Sequence, residues 1–117
     1  MVNALQTALS GMTAFSRSID TTAHNLANVA TPEFKGSRTE FQETRDGGVQ
    51  ASSSVDSRSG PSIFQQSSHG SSLEEQSNVD IGEEMVNLIQ AQREFELNAK
   101  VVPTTDAMLG SLLSIRK

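Results

Sequence analysis

Apolar residues recur with helical spacing in the first 35 residues of the chain. Eight positions follow one another at alternating distances of four and three, which is the pattern of a coiled-coil seam. They are Leu5, Leu9, Met12, Ser16, Ile19, Ala23, Leu26 and Ala30. A second row at seven-residue spacing flanks this seam: Ala8, Phe15, Thr22 and Val29. We predict an amphipathic helix that ends at Thr31-Pro32, because a residue before proline disfavours the α conformation.

The same alternation returns in residues 77–117 and predicts a second helix. Its seam consists of Ile81, Met85, Leu88, Gln92, Phe95, Ala99, Val102, Asp106, Leu109 and Leu113. Asp80, with Glu83 three residues later, predicts the N-cap. Pro103 lacks an amide donor and its ring crowds the preceding turn. We therefore predict a kink or break near residues 102–104, with Thr104 or Thr105 able to cap a restarted segment.

The middle of the chain, residues 36–76, has a different composition. Its stretch from Gly47 to Ser72 holds ten serines and four glycines, and such a segment buries little surface by itself. Short strands or a loose hairpin are predicted around residues 38–42 and 62–66. The predicted fold class is therefore mainly α. Long N- and C-terminal helices pack as a coiled-coil-like pair, parallel or antiparallel, with an extended or small β-containing Ser/Gly-rich segment between them.

This pattern divides the chain into residues 1–35, 36–76 and 77–117, with the two termini together forming one domain. Hydrophobic residues make up only 35% of the 117, and that shortfall belongs to the middle segment. A helix pair alone leaves part of each wide apolar stripe uncovered. We therefore expect other chains to cover it.

The remaining composition excludes several classes of protein. The absence of cysteine excludes disulfides and thiolate zinc sites, and His24 and His69 are too few for a histidine-rich metal centre. A net charge of −5 argues against nucleic-acid binding. No apolar stretch approaches the 18–20 residues or so that span a bilayer, and the start lacks the basic region of a Sec signal peptide. We expect a chain that is not inserted in a membrane.

Catalytic patterns are also missing. Glu83 and Glu84 are adjacent, so on a helix they point about 100° apart and do not form an acid/base pair. None of the seventeen serines lies in a Gly-x-Ser-x-Gly turn. We predict no enzyme activity, no catalytic residue, no metal, no cofactor and no small-molecule substrate.

Two motifs at opposite ends of the chain resemble the signatures of the bacterial flagellar rod and hook family. The first is ALQTALSGM at residues 4–12, followed by AHNLANVATPEFK at residues 23–35. The second comprises SNVD at 77–80, EMV at 84–86, AQREFELNAKVV at 91–102 and DAML at 106–109. Together they cover about 75 residues. The resemblance implies an axial protein whose terminal helices pair in an inner tube around a central channel.

The resemblance also implies partners and a location. The implied partners are copies of the chain, other flagellar rod proteins, the basal-body membrane ring and the export apparatus. Such proteins leave the cell through flagellar type III export without a cleaved signal. They lie in the basal body, spanning the periplasm where an outer membrane exists. Only about 40 residues separate the two signatures, and a chain this short resembles a proximal rod subunit. The sequence Ala-Gln-Arg at residues 91–93, however, is closer to the distal-rod and hook version.

The seams then become the expected assembly interface. Its residues are Leu5, Leu9, Met12, Ile19, Leu26, Ile81, Met85, Leu88, Phe95, Leu109 and Leu113. The family motif adds Asn25, Asn28, Arg93 and Asn98 as candidate contacts, although Asn25 and Asn28 are equally explained as polar-face or helix-end residues. Glu33 departs from the family, which usually has glycine there. A turn that requires positive φ would therefore strain it.

Two other functions remain open from the sequence. A soluble two-helix adaptor or export chaperone would bind a partner helix without polymerising. A secreted axial protein of a needle-type injection system would polymerise, but the stretch at residues 98–100 is not expected there.

Overall fold

The computed structural model describes residues 2–67 and 70–115, which form two long helices joined by two β-hairpins. In chain order the elements are α1 (Val2–Ala27), β1 (Ser37–Glu43), β2 (Val49–Val55), β3 (Ser62–Ser67), β4 (Gly70–Glu75) and α2 (Ile81–Ile115). The predicted class, two terminal helices around a middle with small strands, is confirmed. His69 lies outside the described residues.

Helices α1 and α2 pack against each other in antiparallel orientation. Near the end of α1, the Asn25 side-chain amide donates to Glu84 Oε1 in the first turn of α2, at 3.0 Å. Nearer the start of α1, Gly11 lies against the side chain of Asn98, farther along α2. The contacts therefore occur in reverse order along the two helices. This resolves the orientation that the sequence left open.

Small residues fill the interior. Among the residues whose burial the structure describes, the buried apolar side chains are all alanines, and the buried polar ones are short or amide side chains. The alanines are Ala8, Ala14, Ala51 and Ala91; the polar residues are Thr22, Asn25, Ser77 and Thr105. Ala8 and Thr22 belong to the row that flanks the apolar seam of α1. The deepest part of the interior is thus lined by the flanking row, while the larger side chains of the seam lie nearer the surface.

Helix α1 ends at Ala27, one turn before the predicted stop at Thr31-Pro32. Asn28 accounts for the difference. Its side-chain amide donates to the carbonyl of His24 at 3.0 Å, and its backbone amide donates to the carbonyl of Asn25 at 3.1 Å. These bonds satisfy carbonyl groups that a helix end leaves without partners, so the helix closes before the proline is reached.

Glu33 adopts the left-handed conformation that the family motif led us to suspect. Its φ is +59°, and its backbone amide donates to the carbonyl of Glu75 at 2.9 Å. Phe34, the next residue, packs its ring against His24 with the centroids 5.5 Å apart. A residue with a Cβ therefore occupies a position that favours glycine.

The two predicted strand regions are confirmed, and each forms a hairpin with the segment that follows it. β1 pairs antiparallel with β2, with Phe41 opposite Ala51, and β3 pairs antiparallel with β4, with Phe64 opposite Leu73. The first hairpin packs on α1, where the Phe15 and Phe41 rings lie 5.2 Å apart. Within the described residues, β3 and β4 contact neither helix nor the first hairpin.

Helix α2 begins as predicted and then continues through its proline. Asp80 Oδ1 accepts from the Glu83 amide at 3.0 Å, which is an N-cap bond. The helix is unbroken from Ile81 to Ile115, so the predicted break near Pro103 is wrong, while the kink stays a prediction. Neither threonine caps a new segment. The Thr104 and Thr105 hydroxyls donate to carbonyls four residues earlier, at 2.8 and 2.9 Å, which keeps them within a continuous helix.

Candidate assembly surfaces

Asn25 joins three elements where the helices meet the first hairpin. Its side chain is only 1% exposed. Its amide donates to the Ser37 carbonyl at 2.7 Å and to Glu84 Oε1 at 3.0 Å, while its carbonyl oxygen accepts from the Ser37 amide at 2.9 Å. All its polar atoms are thus used inside the chain, in linking α1 to β1 and α2. The sequence offered Asn25 as a contact between subunits or as a polar-face residue; the structure instead places it in the interior, where it links three elements of the same chain.

Asn78 makes a similar connection from the segment before α2. Its carbonyl oxygen accepts from the Gly36 amide at 2.7 Å, and its amide donates to the carbonyls of Asp56 and Arg58, each at 2.9 Å. The side chain therefore fixes both the entrance to β1 and the exit from β2. Asn78 is missing from the contacts that the sequence predicts. The signal that could have identified it was its position in the SNVD motif.

Charged side chains surround this region, which we call the joint (residues 33–38, 56–61 and 75–84). Arg38 bridges Asp56 and Glu83, with Nη1 lying 2.9 Å from Glu83 Oε1. Arg58 pairs with the same Asp56 carboxylate. The hydrogen bonds from Arg58 hold the pKa of Asp56 well below its usual range, and the bond to Glu83 raises the pKa of Arg38.

Another ion pair holds the base of the β3–β4 hairpin. Lys35 Nζ pairs with Glu75 Oε1, which also accepts from the Gly60 amide at 2.7 Å. The bond from Lys35 lowers the pKa of Glu75, and the Gly60 amide adds to that effect. Gly60 has no space for a side chain, because a Cβ there would lie 2.1 Å from the Gln76 carbonyl oxygen. The hairpin base is therefore tightly packed although its strands project away.

The predicted seam residues divide into an exposed group and a half-buried group. The exposed ones are Leu9, Ile81, Met85 and Leu113. The half-buried ones are Leu5, Met12, Ile19, Leu26, Leu88, Phe95 and Leu109. None is fully buried by the partner helix, so a large part of the seam faces outward.

The other candidate contacts lie in three different places. Asn28 ends α1, as described above. Asn98 is half-buried, donates to the Glu94 carbonyl at 2.8 Å and faces Gly11 across the helix interface. Arg93 is exposed on α2 and forms no ion pair among the residues that the structure describes. Of the candidate polar contacts, Arg93 is the one whose side chain is available to another molecule.

A further apolar surface runs along α2 outside the predicted seam. It consists of Val86, Ile89, Leu97, Val101, Met108, Leu112 and Ile115, all exposed. None of these residues belongs to the seam that the sequence predicts. The helix therefore presents apolar side chains on more than one face. A helix that is hydrophobic around most of its circumference is normally covered.

An apolar groove lies between α1 and β2, with a volume of about 380 Å³. Leu9, Ala14, Val49 and Ala51 provide its apolar lining, and Arg17 supplies its charged residue. Ser10 fixes one wall, because its hydroxyl oxygen accepts from the Val49 amide at 3.1 Å. The groove is open to solvent, and the bond between Ser10 and Val49 fixes the helix against the strand beside it.

Residues 2–67 and 70–115 hold neither a metal-binding cluster nor a membrane-spanning helix. No three acidic or histidine side chains in these ranges converge as metal ligands. Neither helix, over its described length, is apolar enough to cross a bilayer.

Comparison with known families matches both ends of the chain. Residues 5–35 match the family model described as "Flagella basal body rod protein". Residues 71–115 match the model described as "Flagellar basal body rod FlgEFG protein C-terminal". The matched ranges contain α1 with its terminal turn and α2 with its cap, whereas the first hairpin lies between them.

Individual relatives are similar over shorter stretches. The flagellar basal-body rod protein FlgG of Buchnera aphidicola (subspecies Baizongia pistaciae) is 53% identical over 57 residues, covering 44% of this chain and 22% of the relative. The flagellar hook-basal body complex protein FlhP of Bacillus subtilis is 48% identical over 42 residues, 36% of this chain and 16% of the relative. The flagellar hook protein FlgE of Escherichia coli is 45% identical over 42 residues, 36% of this chain and 10% of the relative. The chain thus spans under a quarter of these relatives' lengths.

Proposed function

Since the chain belongs to the bacterial flagellar rod and hook family, we propose that it is a structural subunit of the flagellar basal-body rod. In this role the chain polymerises into a helical tube that transmits motor torque and encloses the export channel. The role is mechanical and non-enzymatic. The adaptor or chaperone alternative is not favoured, because both matched ends belong to models of rod proteins.

The observation that carries the proposal is the exposure of large apolar side chains on a helix pair held together by small ones. Met85, Leu97 and Leu113 are all more than half exposed, while alanine and threonine occupy the buried positions. Surfaces of this kind are covered in the functional state. Copies of the same chain, related by a screw operation, supply such cover without limit.

Within this proposal, the seams have two uses. The half-buried members, such as Leu26 and Phe95, stiffen the helix pair in a coiled-coil-like packing. The exposed members, such as Leu9 and Met85, contact neighbouring subunits. Arg93 is proposed to form a polar contact between subunits.

Partners and location follow from the family in the same way. We propose contacts with further copies, other rod proteins, the basal-body membrane ring and the export apparatus, and export through the flagellar apparatus without a cleaved signal. The short segment between the two matched regions favours a proximal position in the rod, because no large domain lies between the terminal helices.

Electron microscopy of basal bodies from cells with and without the chain tests the proposal. We expect the rod to be lost in the deletion strain while the membrane ring remains. Expression of the chain in that strain should restore both the rod and motility. Intact rods and motile cells in the deletion strain would overturn the proposed function.

A further inference from the structure

The β3–β4 hairpin carries an apolar face that nothing in the described chain covers. Phe64 and Leu73 are directly opposite each other in the strand register and are 77% and 62% exposed. The strands touch neither helix nor the first hairpin within residues 2–67 and 70–115. An isolated two-stranded hairpin is marginally stable in water, so a surface that packs on this face would stabilise it.

The α1–β2 groove offers a complementary surface. Its lining is mainly apolar, its volume of about 380 Å³ is typical of sites that take an apolar group, and Leu9 at its edge is 61% exposed. Both walls are fixed, one by α1 and the other by the bond between Ser10 and Val49. The groove is therefore preformed for an apolar side chain.

We propose that the Phe64–Leu73 face of one copy docks in the α1–β2 groove of a second copy. This inference rests on the proposed function, because it specifies one contact by which the subunits polymerise. The hairpin and the groove are different surfaces, so the contact is heterologous and leaves a free groove and a free hairpin at the ends of every chain of copies. Such contacts propagate unless the rotation closes a ring.

The hairpin cannot reach the groove of its own chain. Its base is fixed in the joint by Lys35 and by the bond between Glu33 and Glu75, beyond the end of α1 at Ala27. Phe64 lies three residues from Pro61, which allows a reach of roughly 10 Å. Leu9 lies 18 residues before the end of α1, a distance of about 27 Å along the helix. The hairpin can therefore enter only the groove of another molecule.

Charge also favours docking by this face. The positions that share the face with Phe64 and Leu73 are Ser62, Gln66 and Ser71, all uncharged, together with Glu75. Glu75 stays at the hairpin base and is already paired with Lys35. The hairpin face therefore brings no unpaired charge into the contact, and Arg17, the charged residue of the groove, is exposed, so its guanidinium can stay in water while its stem covers apolar surface.

Cysteine cross-linking between two differently tagged copies tests the contact, because the native chain contains no cysteine. One copy carries Leu9→Cys and the other Leu73→Cys, and both are expressed in cells that lack the native chain. We expect a disulfide-linked dimer bearing both tags in isolated basal bodies. The matched control replaces Leu73→Cys by Val86→Cys, an exposed α2 position outside the proposed contact, and should yield at least tenfold less dimer.

A pair of serine variants provides the second measurement. Phe64→Ser removes the docking side chain, whereas Ile63→Ser changes an exposed apolar residue on the opposite face of the same hairpin. We expect Phe64→Ser to weaken self-association of the purified chain at least tenfold and Ile63→Ser to leave it unchanged. Circular dichroism should show the same helix content in both variants, because the hairpin contacts neither helix.

The outcomes separate this inference from the proposed function. Basal bodies that contain the chain but give no Leu9–Leu73 dimer would overturn the docking contact and leave the rod assignment intact. A photo-reactive residue at position 64 that captures a different protein would also overturn it. Rods that form normally without the chain would overturn the proposed function itself.

Discussion

Gly11 and Asn98 approach each other so closely across the helix interface that a Cβ on Gly11 would lie 2.8 Å from Asn98 Oδ1. The amide is held in that place, because its nitrogen donates to the Glu94 carbonyl at 2.8 Å. A glycine in the interior of a helix costs about 1 kcal/mol relative to alanine. Here it allows α2 to bring a polar side chain against the backbone of α1.

A double-mutant cycle should measure this relationship. Gly11→Ala adds helix propensity but forces the Asn98 amide to move, whereas the same change in an Asn98→Ala background meets no amide. We expect Gly11→Ala to raise the free energy of unfolding by about 1 kcal/mol more in the Asn98→Ala background than in the native background. Urea unfolding of the four chains gives the coupling energy. Equal effects of Gly11→Ala in the two backgrounds would show that the contact has no energetic consequence.

Replacement of Asn25 should destabilise the joint strongly. Asn25→Ala removes three hydrogen bonds and leaves the partly buried amide and carbonyl of Ser37 without these partners, for an expected loss of about 2–4 kcal/mol. Asn25→Asp should cost at least as much at neutral pH, because a carboxylate there faces the Ser37 carbonyl and the Glu84 carboxylate.

Two controls make the Asn25 result specific. Addition of Glu84→Gln to Asn25→Asp should recover part of the loss, since the added amide donates where a second carboxylate stood. Asn28→Ala removes two exposed bonds at the helix end, one to the His24 carbonyl and one from the Thr31 hydroxyl, and should cost about 1 kcal/mol, less than Asn25→Ala. Chemical unfolding at pH 7 measures each difference, and equal losses in Asn25→Ala and Asn28→Ala would contradict the role assigned to Asn25.

The joint should lose stability in acid. The folded state lowers the pKa of Asp56 through Arg58 and that of Glu75 through Lys35. Their stabilisation is therefore complete above the unfolded-state pKa of about 4 and is lost as pH falls below it. We expect the melting temperature to drop between pH 5 and pH 3, and Asp56→Asn to reduce that drop. Asp46→Asn, an exposed change in the β1–β2 turn, should leave the pH profile as it is.

Glu33→Gly should stabilise the chain. Glu33 holds φ at +59°, where a Cβ costs roughly 1 kcal/mol that glycine avoids. The greater freedom of glycine in the unfolded chain offsets part of this gain, so we expect a net increase of a few tenths of a kcal/mol. Glu33→Ala retains a Cβ and should give no gain. Thermal unfolding of Glu33→Gly and Glu33→Ala measures the difference, and equal melting temperatures of the two variants would argue against strain at this turn.

The helices, the Asp80 cap and both strand regions could be predicted, because each depends on local spacing or on a single residue's chemistry. The left-handed conformation of Glu33 was expected only on the condition that its turn requires positive φ, and that condition came from the resemblance to the family. The depth to which each side chain is buried could not be predicted in this way. The apolar seam and its flanking row lie side by side on α1, and periodicity alone does not say which row the partner helix covers. Gly11 was the available clue, since a glycine kept inside a helix often marks a close approach. Asn25 and Asn78 bond to backbone groups that are distant in sequence, and only the folded chain brings them together.

Pro103→Ala should change stability and assembly in opposite directions. The helix already continues through Pro103, so alanine restores the amide bond to the Ala99 carbonyl and removes the crowding by the ring. We expect the unfolding free energy to rise by about 1–3 kcal/mol, below or near the full proline penalty because the helix has adapted to the residue.

Removal of the kink that we predict at Pro103 would redirect the last turns of α2, which carry Met108, Leu112 and Ile115, and so reduce rod formation. Circular dichroism and thermal unfolding measure the first effect, and motility with electron microscopy of basal bodies measures the second. Thr104→Ala, which removes only a back-bond within the helix, serves as the matched control and should preserve assembly. A Pro103→Ala chain that is more stable and still builds normal rods would show that the bend has no part in assembly.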